Sequence, residues 1–335
     1  MAKVGIIGSG AWGLTLATLL ARQGHEVQVW CHNEAVKKEI NERHTLKYFF
    51  SETKFPKNIR GTVDLGKAVN NADFVLLVVA SHFYRSMAKA LKPLLQPNQI
   101  VISATKGLEE GTLKRMSEVA CDELGPDILK RYVVLSGPNL SKEIMNGLPA
   151  AASAASLDAV SASKVQELLN STLFRVYTNS DLIGVELGGT LKNVIALAAG
   201  IADGLKVGDN SKAALIVRGA VEMARLSKAL GADLQTLMGL SGMGDLIATC
   251  SSKFSRNHSL GAKLAKGQKL EHILKSMKAV AEGVKTAKVA YQLAKQKNIP
   301  MPITEQVYQI LYENKSPKVA LDDLMSRDPK SEKII

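Results

Sequence analysis

Gly8-Ser9-Gly10-Ala11-Trp12-Gly13 has the spacing GxGxxG, between an apolar run and a stretch of helical composition. In that context the spacing suits a dinucleotide phosphate. Gly8 permits a tight turn, Gly10 lets the backbone approach a pyrophosphate, and Gly13 lets helix and strand pack closely. The N–H groups at the helix start then face the phosphates. A purely structural glycine-rich turn is the alternative reading. In folds that use NAD strictly, a carboxylate at the end of the next strand bonds the ribose 2′-hydroxyl. That end here reads Trp30-Cys31-His32-Asn33-Glu34, with Lys37 and Lys38 behind it. His32 or Asn33 stands at the expected position, and a neutral or basic pocket tolerates a 2′-phosphate. The sequence therefore points to NADP, alongside NAD if Glu34 reaches the ribose.

A second set of residues suits proton transfer. Lys106 lies in Ser103-Ala104-Thr105-Lys106-Gly107-Leu108, just past an apolar run, and Ser136-Gly137-Pro138-Asn139 follows another. Ligands of open α/β sheets bind outside such strand ends; a plain turn is the alternative for the second loop. Lys192 sits in a mostly apolar helical stretch, with Gly188 and Gly189 one turn before it and Ala196 and Ala199 after it on the same face. Helical glycines cost about 1 kcal/mol each relative to alanine, so something must approach this backbone. A ligand ring and another helix are the two candidates, and a snorkelling structural lysine remains the plainer account. A lysine partly buried beside another cation gives up its proton more readily, which suits general acid–base work. Two lysines converging on one cleft, with an acid to orient one of them, would reduce a carbonyl. Gly242-Met243-Gly244-Asp245 offers that acid on a glycine-rich turn; a helix N-cap is the plainer account of Asp245, and both roles can coexist. Ser255-Arg256-Asn257 opens a further helix with a hydroxyl, a guanidinium and an amide, an anion-binding start that alone would be an ordinary cap.

The elements that must position these groups follow from periodicity. Short apolar runs at residues 3–7, 27–31, 74–80, 100–104, 133–136, 150–155 and 174–178 alternate with helical or loop segments. That alternation means parallel strands joined by crossovers. The expected architecture is an α/β fold with an N-terminal Rossmann-type doubly wound, mostly parallel sheet and a C-terminal all-α domain. Residues 1–180 would form the NAD(P)-binding Rossmann domain and 181–335 the helical substrate and catalytic domain. Helices are expected over 182–205, 211–230, 256–266, 286–297 and 304–312.

Composition narrows the class. The chain has 335 residues, 46% hydrophobic and 22% charged, enough for two cores. Its formal net charge of +12 suits anionic small molecules, yet the lysines are scattered and the aromatic content is only 5%, so no stacking platform for nucleic acid is evident. Cys31, Cys121 and Cys250 are far apart with no CxxC pair, which argues against disulfides and a structural zinc. No metal-ligand cluster is visible, so no metal is expected. The start MAKVGIIGSG reads as a strand rather than a signal peptide. Apolar stretches such as 74–80 and 194–202 are too short to cross a bilayer, and the cytoplasm is the expected location.

The GxGxxG loop, ATKGL around Lys106, SGPN around Gly137, ELGGTLKNV around Lys192, GMGDL around Asp245, SRN at 255–257 and VAEGVKT around Glu282 occur in this order. Together they resemble the bacterial-type NAD(P)-dependent glycerol-3-phosphate dehydrogenases, over about residues 3–325. The resemblance implies reduction of dihydroxyacetone phosphate to sn-glycerol 3-phosphate or its reverse, supplying glycerophospholipid synthesis, with NADP or NAD as cofactor. It implies Lys192 as proton donor and acceptor, and Lys106 as a substrate-positioning cation that also touches the cofactor. Gly137 and Asn139 would contact substrate, Asp245 would orient the lysine, and Ser255, Arg256 and Asn257 would hold the substrate phosphate. Cofactor contacts would come from Gly8, Gly10, Ala11, Trp12, Gly13, His32, Ser141, Val280 and Glu282, and from Arg256. The sequence departs from the family pattern at Ala11, where serine is frequent, at Asn139, where serine or threonine is, and at Ala80, which replaces a proline. The implied partners are small molecules, with no nucleic acid and no stable membrane insertion; a homodimer stays open. Rival readings are a Rossmann-plus-helical dehydrogenase of β-hydroxy acids such as 6-phosphogluconate or hydroxyisobutyrate, a non-catalytic cofactor-sensing module, and a nucleic-acid binder. A substrate panel, NAD(P)H oxidation with dihydroxyacetone phosphate, and a salt-titrated binding assay separate them.

Overall fold

Apolar residues run almost without alternation through KVGII, FVLL, IVIS and YVVLS, the pattern of strands covered on both faces. The computed structural model, which describes residues 1–50, 53–252, 254–277, 281–329 and 331–332, shows these in one eight-stranded sheet. The strands are β1 (Lys3–Ile7), β2 (Glu26–Trp30), β3 (Ile59–Thr62), β4 (Phe74–Leu77), β5 (Ile100–Ser103), β6 (Tyr132–Ser136), β7 (Ala150–Ala155) and β8 (Phe174–Asn179). Their order is β3-β2-β1-β4-β5-β6-β7-β8. All neighbours are parallel except β6 and β7, where Ser136 faces Ser153 in an antiparallel register. The sequence reading lacked β3: its IRGT is short and its Arg60 is exposed, so it carries no buried apolar run. The chain leaves β1 toward β2 and β3, then returns to the other side of β1 with β4. That reversal is the switch point outside which ligands of such sheets bind.

The helices used below are α1 (Ala11–Arg22), α2 (Glu34–Lys38), α3 (Ser141–Met145), α4 (Leu182–Leu205), α5 (Asp209–Ala229), α6 (Asp245–Ser251), α7 (Arg256–Ala265), α8 (Glu282–Gln296) and α9 (Pro302–Tyr312). The chain forms two units, Met1–Lys106 with Lys114–Leu182, and Gly107–Leu113 with Ile183–Ile335. The sheet belongs to the first. The second is helical, and Leu108 is buried in its core although it precedes β6 in sequence.

α4 is the axis of the second unit's core, with Leu187, Leu191, Ile195, Ala196 and Ala199 fully or almost fully buried. It is long and apolar enough to cross a membrane, contrary to the shorter apolar stretches read from sequence, but nearly all of it is buried inside the protein. The other candidate explanation for its small residues is answered by packing. A Cβ on Gly188 would lie 2.8 Å from the Ser241 carbonyl oxygen, and one on Gly200 would lie 2.0 Å from that of His258. At Gly188 the approaching group is backbone of the turn before α6, and at Gly200 it is backbone of α7.

Candidate active site

In the first unit, the turn from β1 to α1 separates the glycines by task. Gly8 has φ +127, and a Cβ on it would meet the Val78 carbonyl oxygen at 2.4 Å. A Cβ on Gly13 would meet the Gly8 carbonyl oxygen at 2.1 Å, which is the close helix–strand packing expected. Gly10 differs: its φ of −73 suits any residue, and nothing lies within 4 Å of the place a Cβ would occupy. Neither backbone strain nor packing asks for glycine there, whereas a pyrophosphate against the backbone does. Trp12 packs near Phe174, with ring centroids 6.4 Å apart. Its indole Nε1 is buried with no hydrogen-bond partner, a donor that lacks an acceptor. The open cradle and the unpaired donor both fit a dinucleotide. Ala11 is the first residue of α1 and offers no side-chain hydroxyl there.

Past β2, Asn33 caps α2, its Oδ1 accepting from the Val36 N–H at 2.9 Å. That bond turns the amide so that Nδ2 faces His32 Nε2 at 2.8 Å. His32 and Asn33 are exposed. Glu34 accepts from Lys37 Nζ at 3.1 Å, so the carboxylate and one of the cations read at this end are spent on each other. Cys31 is buried behind them, and burial pushes its thiol up to about 11.

On the same rim of the sheet, Lys106 Nζ donates to the Gly137 carbonyl oxygen at 3.1 Å, joining the loops after β5 and β6. A Cβ on Gly137 would come within 2.7 Å of the Ala151 carbonyl oxygen, so only glycine lets this loop lie against β7. Asn139 Nδ2 donates to that same oxygen at 2.9 Å. Its Oδ1 is buried without a donor, an acceptor still to be satisfied. Ser141 opens α3 directly after the loop.

In the second unit, Lys192, from the middle of α4, is buried. Its Nζ donates to Asp245 Oδ1 at 2.8 Å and to Thr249 Oγ1 at 2.5 Å. Thr249 in turn donates to Asp245 Oδ1 at 3.2 Å. The charged group hydrogen-bonded to the lysine is thus Asp245, the acid whose expected part was to orient it. Asp245 does not cap α6. Gly244 occupies the cap position and Asp245 is the first helical residue, its Oδ1 taken by Lys192 and Thr249. The chain reaches α6 through a π-helical turn, Leu240–Gly244, packed so tightly that a Cβ on Gly242 would touch the Leu237 carbonyl oxygen at 2.0 Å.

Ser255 caps α7 and accepts from the His258 N–H at 3.2 Å. The Arg256 and Asn257 N–H groups belong to the same first turn. Arg256 is exposed. Asn257 is buried, and both ends of its amide hold protein: Nδ2 donates to Asn193 Oδ1 at 2.8 Å, and Oδ1 accepts from the Gly283 N–H at 3.0 Å. Glu282 begins α8. Val280, the remaining cofactor candidate, lies outside the described residues.

Thr249 and Asn193 escaped the sequence reading. Thr249 had a usable signal, since it lies four residues after Asp245 and so on the same helical face. Asn193, adjacent to Lys192, had none, because its partner stands 64 residues away.

Comparison with known proteins gives a consistent result. Residues 3–162 match the model of the NAD-dependent glycerol-3-phosphate dehydrogenase N-terminus, and residues 181–322 match that of its C-terminus. A protein of Geobacter metallireducens named glycerol-3-phosphate dehydrogenase (NAD(P)+) is 47% identical over 331 residues, covering 99% of both chains. One of the same name from Dehalococcoides mccartyi is 48% identical, covering 97% of this chain and 91% of its own. The crystal structure of glycerol-3-phosphate dehydrogenase from Coxiella burnetii superposes with a TM-score of 0.92 at 36% identity, covering 97% of this chain and 99% of that one.

Proposed function

The chain belongs to the NAD-dependent glycerol-3-phosphate dehydrogenase family, and from that premise we propose that it interconverts dihydroxyacetone phosphate and sn-glycerol 3-phosphate with NADPH or NADH. The observation that carries this reading is the buried Lys192–Asp245–Thr249 triangle, in the same unit as a helix start suited to a phosphate. When bound, the cofactor supplies the hydride through its nicotinamide ring.

The protein's own residues do the rest. Lys192, as an ammonium, hydrogen-bonds the substrate carbonyl oxygen, stabilises the alkoxide as it forms and protonates it. Asp245 and Thr249 fix the direction of the ammonium. In the reverse direction Lys192 accepts the hydroxyl proton. We assign the substrate phosphate to the Arg256 guanidinium and to the Arg256 and Asn257 backbone N–H groups, because the Asn257 side chain already holds Asn193 and Gly283. Ser255 contributes by capping that turn. Binding energy at the phosphate then orients the carbonyl. Lys106, Gly137 and Asn139 contact substrate, and Asn139 Oδ1 is an acceptor for a hydroxyl donor. Gly8, Gly10, Ala11, Trp12, Gly13, His32 and Ser141 hold the cofactor in the first unit. The product feeds glycerophospholipid synthesis, and the location is the cytoplasm. NADPH and NADH oxidation is measured with dihydroxyacetone phosphate against a panel of β-keto acids. Turnover confined to the triose phosphate supports the reading, and preference for a keto acid overturns it.

A further inference from the structure

Asp203, Lys212 and His258 form a second titratable cluster in the helical unit, separate from the lysine triangle. Asp203 Oδ2 lies 2.7 Å from His258 Nε2 and 2.7 Å from Lys212 Nζ. The three side chains come from the last turn of α4, the start of α5 and the first turn of α7. Burial pushes the Asp203 carboxyl up, but the Lys212 and His258 hydrogen bonds outweigh it and hold the group below the usual carboxylate range.

Local preference does not account for this placement. An acid in a helix's last turn opposes the backbone dipole, and Asp203 stands two residues before the end of α4. Where a sequence goes against local preference without a core to fill, the site is a candidate for function. His258 is the third residue of α7, and its backbone N–H is the one that Ser255 caps. It immediately follows Arg256 and Asn257, the residues assigned to the substrate phosphate. Its backbone is also the one that Gly200 of α4 approaches too closely for any side chain. α4 therefore grips the first turn of α7 at Asn193, Gly200 and Asp203. The same helix carries Lys192, about 16 Å from Asp203 at 1.5 Å per residue.

We propose that Asp203 and His258 are positioning residues for the substrate phosphate, clamping the first turn of α7 onto α4, with Lys212 holding the Asp203 carboxylate in place. This rests on the function proposed above. Neither residue touches substrate. Each acts by fixing the backbone donors and the Arg256 side chain on the helix that carries the proton donor.

The test measures kinetics, inhibition by inorganic phosphate, and NADH binding by fluorescence for Asp203→Ala, His258→Ala and the double variant. Asp203→Asn and His258→Gln serve as conservative variants that keep a hydrogen bond. Each alanine variant is expected to raise the KM for dihydroxyacetone phosphate and the Ki for inorganic phosphate in parallel, by about tenfold, as for loss of one charge-assisted hydrogen bond. The kcat and NADH affinity should stay within about twofold. The double variant should be no worse than either single one, because both break the same contact, and the conservative variants should recover most of the loss. An unchanged phosphate Ki overturns the inference, and so does a uniform fall in kcat, NADH affinity and melting temperature. If the wild-type enzyme itself does not turn over dihydroxyacetone phosphate, the function fails, not the clamp alone.

Discussion

Replacing Gly10 with valine separates a glycine needed by a ligand from one needed by the fold. At φ −73 and ψ 173 the backbone of Gly10 is ordinary extended conformation, and no atom lies within 4 Å of an added Cβ. A Cβ there meets no neighbour, and restricting the unfolded chain stabilises by about 0.4–1 kcal/mol. Gly13→Ala is the contrast, since its Cβ would sit 2.1 Å from the Gly8 carbonyl oxygen and must displace backbone. Binding should respond in the opposite way. If a side chain at position 10 displaces the pyrophosphate from two helix-start N–H groups, two hydrogen bonds to a charged group are lost. At about 1.5–3 kcal/mol each, that is about 3–6 kcal/mol, or roughly a hundredfold to more than ten-thousandfold in affinity. NADH titration by fluorescence gives the affinity, and thermal unfolding without ligand gives the stability. An affinity within threefold of wild type refutes the cradle. A melting temperature lowered as far as in Gly13→Ala refutes the packing argument.

Further outcomes are expected at other sites. Lys192→Ala should lower kcat by about 10²–10⁴-fold, the usual worth of a positioned acid, with NADH affinity retained; near-normal turnover removes Lys192 from the chemistry. Thr249→Val deletes one acceptor of the lysine and should cost about tenfold in kcat, so an unchanged kcat shows that Asp245 alone orients the ammonium. Glu222 of α5 is buried and accepts from the Ile303 and Thr304 N–H groups and the Thr304 hydroxyl at the start of α9, while burial raises its carboxyl from 4.5 to about 7. The folded protein therefore holds a proton that the unfolded chain has released over that interval. The contribution to stability is complete below pH 4.5 and lost as pH rises through 7, by about 3 kcal/mol at 1.36 kcal/mol per pH unit. Urea unfolding of Glu222→Gln should lack this fall relative to wild type between pH 5 and pH 8, and parallel profiles reject it. Burial pushes the Cys250 thiol up to about 12 and that of Cys31 to about 11, so iodoacetamide at pH 8 should leave both unlabelled in the native protein by mass spectrometry, and modification of either shows an accessible thiolate.

How much was legible depended on whether the signal was local. The 182–205 helix was readable to its ends because no proline interrupts it and only Glu186, Thr190, Lys192, Asn193 and Asp203 break its apolar composition. Strands such as β4, with its apolar FVLL, were readable from their unbroken apolar runs, though β4 stops at Leu77, before the expected end. β3 was not, since an edge strand with Arg60 exposed leaves little pattern. The chemistry was legible as residue types but not as partners. Lys192 and Asp245 were both singled out, yet the acid's turn away from capping α6 depends on a contact across 53 residues. The amide of Asn257 likewise suggested a phosphate ligand by type, whereas its bonds to Asn193 and Gly283 were not legible.

The glycines of α4 explain why a lysine can be held so firmly there. Each is unfavourable within a helix taken alone. Gly188 lets the turn before α6 lie directly on α4, and that turn delivers Asp245 and, one helical turn on, Thr249 to the Lys192 ammonium. Gly200 does the same for the backbone of α7 at His258. An alanine at either position would force backbone apart by the better part of an ångström or more, and the hydrogen bonds at Lys192 and at Asn257 tolerate far less before they weaken. The stability given up at these positions therefore fixes Lys192 and the first turn of α7 on one helix, which is the preorganisation that the proposed proton transfer and phosphate binding require.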